Sequence, residues 1–157
     1  MRVKKNTRFL LFRFGNYWDV DFIAEHKKII IEQGYVWMLK TGKKVSLDKL
    51  NAILEDGGYV ILKESKQAGN RYYLGTFTEV TLDNPEDARH CPDYYQNVKS
   101  YSQEWFKITS IGALDEANVE TLLLSNSGKA LKDVIDRTSS SFMFVENNME
   151  WEVTINA

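Results

Sequence analysis

The chain has 157 residues, 43% of them hydrophobic and 27% charged, and is long enough to bury roughly two-thirds of its unfolded surface in one core. Two prolines exclude a collagenous or low-complexity chain, and the lone Cys91 excludes an internal disulfide and a four-cysteine zinc site. A formal net charge of −2 excludes a uniformly basic nucleic-acid coat, whereas 4 Trp, 8 Tyr and 8 Phe leave room for a binding site built from rings.

Charge is uneven along the chain. Residues 1–80 hold 14 Lys/Arg against 9 Asp/Glu, and residues 81–157 hold 6 against 13. The first half is therefore the better candidate to meet phosphate, with a mixed solvated surface as the competing reading.

In chain order, the apolar run from Thr7 to Phe14 ends at Gly15-Asn16 and reads as an internal strand. Arg13 interrupts the run and no small-residue cleavage site follows, so it is not read as a signal peptide. No stretch approaches the roughly 20 apolar residues that span a bilayer, and a cytoplasmic protein is expected. Val20 to Gln33 repeats apolar residues at helical spacing, with Gly34 as its stop. Tyr35 to Leu39 is rich in strand formers. Ser46 is expected to cap a helix through Leu54, which Gly57-Gly58 ends.

Two strands, Tyr59 to Lys63 and Arg71 to Leu82, flank a polar connector. Residues 83–103 lack a sustained period and read as a long loop with one short helical turn; loops of this length are often functional. Trp105 to Ile111 is expected as a strand. Asp115–Leu124 and Gly128–Arg137 are expected as helices, and Phe142–Val145 and Trp151–Ile155 as the final strands.

Motifs for catalysis are sparse. His90-Cys91 with Asp93 is the one compact nucleophile candidate, but adjacent residues rarely present both side chains to one reacting atom. His26 is the only other histidine, so a histidine-rich metal site is not expected, and no Walker or dinucleotide glycine loop occurs. Neither a cofactor nor a metal is expected. Rings are more informative: Tyr17-Trp18, Trp37, Tyr94-Tyr95 and Trp105-Phe106 stand on loops or strand starts, and aromatic faces stack on splayed-out bases. Core packing competes with that role for each of them.

The order of segments resembles the EVE branch of the PUA-like superfamily, with YTH and ASCH domains as relatives. Asn16-Tyr17-Trp18-Asp19 is similar to that family's entry to its first helix, and Trp37 falls on its aromatic-bearing strand. Gly58 to Leu62, Tyr73 to Val80 and Trp105 to Ile111 resemble its later strands. Tyr59 stands where the family has aspartate, and Ser46 to Asp56 is an added helix-like insert.

The resemblance implies an α+β fold, a small bent mixed β-barrel with peripheral helices, as a single domain over 1–157 with 112–157 as a C-terminal elaboration. It implies a non-enzymatic domain that binds DNA or RNA carrying a modified base, with a separately encoded effector as an open alternative; the apolar runs, too short for a bilayer, lead to the expectation of no membrane partner. By position, Trp18 and Trp37 become pocket walls, and Asn16 and Asp19 polar readers or supports. Tyr95 and Trp105 join them on chemistry alone, and Lys40, Lys43 and Lys44 are candidate phosphate ligands. Two competing readings are a protein-interaction domain that uses exposed Tyr94, Tyr95 and Trp151, and a small-molecule enzyme on the same barrel.

Overall fold

The computed structural model describes residues 1–16, 19–98 and 103–154, with backbone alone for 96–98 and 103. A short strand β1 (Arg2–Val3) precedes β2 (Arg8–Phe14), helix α1 (Phe22–Gln33) and β3 (Val36–Thr41). Helix α2 (Leu47–Glu55) leads to β4 (Tyr59–Glu64) and β5 (Tyr72–Thr81), which a 3-10 turn at Lys66–Ala68 connects. Two further 3-10 segments, Ala88–His90 and Asp93–Val98, lie before β6 (Gln103–Ala113). The chain then forms α3 (Glu116–Val119), β7 (Leu122–Leu124), α4 (Leu131–Val134), β8 (Phe142–Asn147) and β9 (Trp151–Glu152).

Seven strands form one mixed sheet in the order β3-β6-β5-β4-β2-β8-β7, with β2 and β4 parallel and the other neighbours antiparallel. The register of β5 on β6 shifts on both sides of Phe77, and such irregularities bend a strand and increase its twist. The sheet accordingly curls: Leu10, Met38, Val60, Phe77 and Phe106, from five strands, share one core with Phe22, Ile23 and Ile30 of α1. Its two ends do not pair, so the expected bent mixed sheet with peripheral helices is present as an open curl and not a closed barrel. The convex face has its own core, in which Phe9, Leu11, Ile61 and Val145 meet Leu131 and Trp151. Central strands are thus covered on both sides, which explains the uninterrupted apolar runs of β2 and β4.

Local signals account for most boundaries. Asp21 caps α1 by accepting the Ala24 N–H at 3.1 Å, and Gly34 closes the helix in the left-handed conformation, φ 90°. Gly58, at φ 69°, is held closely against β5, where a Cβ would lie 2.1 Å from the Phe77 carbonyl oxygen. Only glycine fits both constraints.

Four expectations need correction. Ser46 precedes α2, but its side chain makes no cap bond. The helix expected over 115–124 ends at Val119, because Leu122–Leu124 pair with Val145–Asn147 as an edge strand. The helix expected over 128–137 shortens to α4 followed by a 3-10 turn at Ile135–Arg137. The final strand is only Trp151–Glu152, paired with β1; residue 155 of the expected strand lies outside the described residues.

Candidate nucleic-acid interface

The curl leaves a cleft between edge strand β3 and the end of β2, and a cavity of about 340 Å³ occupies it. This is at the small end of ligand pockets, roughly 300–1,000 Å³. Phe12 and Phe14 of β2, Phe22 of α1 and Leu39 of β3 supply apolar walls, with Tyr94 and Tyr95 from the Asp93–Val98 turn. Arg13, Gly15, Thr41 and Ser141 add polar and backbone groups at the margin.

These walls are fixed in place. The Phe14 and Phe22 rings stack at 4.4 Å, and Phe22 stacks in turn on the His26 imidazole at 4.1 Å. His26 is fully buried, and its Nδ1 lies 2.7 Å from the Phe22 carbonyl oxygen. A carbonyl only accepts, so Nδ1 carries the proton and Nε2 accepts the Tyr95 hydroxyl at 2.5 Å. The Leu39 N–H donates to the same Tyr95 oxygen at 3.3 Å. One phenol thereby joins α1, β3 and the long loop. Burial lowers the His26 pKa to about 4, against the opposing Phe22 carbonyl bond, so the ring is neutral at pH 7. Burial also raises the Tyr95 phenol well above its ordinary range.

The residues singled out from sequence fall into different roles. Tyr95 lines the cavity. Trp105, 6% exposed, packs edge-on against Tyr95 at 5.9 Å and donates its indole N–H to Asn84 Oδ1 at 3.3 Å. Trp37 is half-buried, packs on the same small cluster and meets Tyr35 edge-on at 6.1 Å. Trp37 and Trp105 therefore back the Tyr95 wall and do not line the cavity. Asn16 is exposed and accepts the Phe22 N–H through Oδ1 at 3.1 Å, which fixes the entry to α1. Asp19 is exposed with φ 57°. Trp18 lies outside the described residues.

Among the candidate phosphate ligands, Lys43 and Lys44 are exposed on the turn after β3, next to cavity residue Thr41. Lys40 does not fit that role. It is 2% exposed, its ammonium donates to the Lys43 and Thr41 carbonyls, and it lies 4.6 Å from the centre of the Phe142 ring. Strand alternation turns it inward with Val36 and Met38. Burial lowers its pKa, with Glu104 opposing.

The nucleophile candidate loses its chemistry. Burial, with Asp87 nearby, pushes the Cys91 thiol up to about 11, while His90 stacks on Tyr35 at 3.8 Å with Nδ1 bonded to the Tyr35 carbonyl. A thiol of that pKa holds little thiolate at pH 7. Among the described residues no group of three or more His, Cys, Asp or Glu could hold a metal, and no helix is long and apolar enough to cross a membrane.

Sequence reasoning missed Phe12, Phe14, Phe22 and Tyr94 as cavity walls. Leu10, Phe12 and Phe14 share one face of β2, and two aromatics at the last same-face positions before a loop are a legible sign of a half-open end. The contact of His26 with Tyr95, 69 residues apart, leaves no comparable sign in the sequence.

A family model described as Pua-like matches residues 10–138. No curated protein and no solved structure matches the chain.

Proposed function

Because the chain belongs to the Pua-like family, whose domains are in general nucleic-acid-binding modules, we propose that it is a non-catalytic reader of DNA or RNA. In this reading one base, extruded from its strand and carrying a modification, enters the cavity between β2 and β3. The observation that carries the reading is the Tyr95 wall: an aromatic ring held by His26 and Leu39 in a cavity that Phe12, Phe14, Phe22 and Tyr94 also line. Pre-ordered rings lose little freedom on binding, and stacking contributes about 1–3 kcal/mol per base. Lys43 and Lys44 then stand beside the entry, where phosphates of the same strand pass.

The proposal that Tyr94, Tyr95 and Trp151 anchor a protein partner has less support. Trp151 is 2% exposed, stacks on Phe9 at 5.0 Å and donates to Thr121 Oγ1 at 2.8 Å, so it offers no surface anchor.

The test is a titration of single strands with and without a modified cytosine or adenine, read by tryptophan fluorescence. Tyr95→Ala is expected to weaken binding about 5- to 150-fold, the equivalent of one lost stacking contact. Equal affinity of Tyr95→Ala and the unsubstituted chain for every strand would overturn the pocket.

A further inference from the structure

A second groove, of about 850 Å³, lies across the Arg13–Gly15 segment from the aromatic cavity. The two share Arg13, Phe14, Gly15 and Ser141, so they adjoin along that segment. Their chemistry differs sharply. The first is walled by rings, whereas the second is walled by the end of β4 with the Lys66–Ala68 turn on one side and by Asp136 with Ser139–Ser141 on the other.

Arg13 organises the second wall. Its Nη1 donates to the Thr138 carbonyl at 2.6 Å and the Ser140 carbonyl at 3.4 Å, and its Nη2 donates to the Ile135 carbonyl at 2.6 Å. Its backbone N–H donates to the Ser141 carbonyl at 2.9 Å. These bonds hold three exposed serines along the groove while leaving the guanidinium charge without a carboxylate partner: among the described residues Arg13 forms no ion pair. Lys63, 3% exposed, also forms none; its ammonium donates to the Glu64 carbonyl at 2.6 Å and to Asn70 Oδ1.

The carboxylates at hand are already taken. Asp136 pairs with Lys66 at 3.2 Å, and Glu64 with Arg71 at 2.9 Å. Among the residues that line the groove, Arg13, Lys63 and Lys66 stand against Glu64 and Asp136, an excess of one positive charge. Burial is the main cause of the lowered Lys63 pKa; Arg13 and Lys66 lower it further, while Asp136 and Glu64 oppose them. An anion entering the groove meets hydroxyl donors and relieves this repulsion.

We propose that the groove is a phosphodiester subsite, in which Arg13, Lys66 and the Ser139–Ser141 hydroxyls hold the strand next to the base in the aromatic cavity, with the buried Lys63 adding charge behind them. This rests on the nucleic-acid reading above and adds to it a direction: the strand runs from the β3 cleft across Gly15 toward the β4 turn. It also moves the main phosphate contact away from Lys40.

The test uses the full, isotopically labelled chain and three probes: a short single strand, the same sequence on an uncharged methylphosphonate backbone, and inorganic phosphate. The ordinary strand is expected to shift the backbone amides of residues 65–68 and 139–141 as well as those of Tyr94 and Tyr95, and the uncharged strand only those of the tyrosines. Lys66→Gln, an exposed substitution, is expected to flatten the salt dependence by about 0.7 in log–log slope, the value for one phosphate contact on a single strand. Tyrosine shifts with silent groove amides and an unchanged slope would overturn the subsite and leave the base reading standing. Groove shifts with silent tyrosines would support the subsite and overturn the base reading. Groove shifts with inorganic phosphate but with neither strand would assign the site to a free anion and overturn the strand path.

Discussion

The two faces of β2 are built from the same kind of residue and meet opposite fates. Phe9 and Leu11 point to the convex core, where Trp151 closes over them and exposure falls to 2% or less. Phe12 and Phe14 point to the concave core, whose end is left open as a cavity with Tyr95 as its far wall. One face is closed into a core, and the end of the other is left open, where the proposed reading seats a ligand. The difference between the two sets of rings comes from where the sheet fails to close, and composition alone does not separate them.

Substitutions that strike one face and spare the other test that contrast. The largest expected effect is on the closed face: Trp151→Ala removes a buried ring and its hydrogen bond to Thr121, and should cost about 3–5 kcal/mol in denaturant unfolding. Affinity for a strand should be unchanged, because the convex core that holds Trp151 contains none of the cavity-lining residues.

Next is the acid dependence of the open face. His26 takes up a proton near its ordinary 6.5 when unfolded but only at about 4 in the fold. The unfolded state binds more protons between these values, so stability is whole above pH 6.5 and falls as pH drops toward 4, by about 3 kcal/mol. Unfolding curves across that window should show the loss, and His26→Phe should remove it. Asp87, held down to about 2 by Arg89, loses its contribution only at lower pH and does not obscure the window.

A smaller effect separates the Tyr95 ring from its hydroxyl. Tyr95→Phe keeps the stacking face but leaves His26 Nε2 and the Leu39 N–H without that partner, at a cost of about 1–3 kcal/mol. Stability should fall while affinity for a strand stays close to that of the unsubstituted chain. A large loss of affinity would mean that the hydroxyl, and not the ring face, meets the ligand.

Elements set by local rules were legible in the sequence. Gly34 ends α1, Gly58 ends α2, and the apolar run of β2 is an internal strand. Leu122–Leu124 were misread because a short apolar run fits a helix or a strand equally well, and its pairing with β8 is decided by a distant segment. The site follows the same division. Tyr95 stood out as a ring in a long polar loop, and Asn16 as a polar residue at a helix entry. Phe12, Phe14 and Phe22 were hidden because rings in apolar runs look like core until the sheet's open edge is known. Lys40 looked like surface lysine because strand alternation, which buries it, depends on which face of β3 turns inward.

The central claim is that the open end of the β2 face receives a base. Intermolecular nuclear Overhauser effects between a bound single strand and the aromatic side chains test it most directly. The account predicts contacts from the protons of a single base to the rings of Phe12 and Tyr95, and none to Phe9 or Trp151. A strand that binds tightly yet shows no contact to Phe12 or Tyr95 would contradict it.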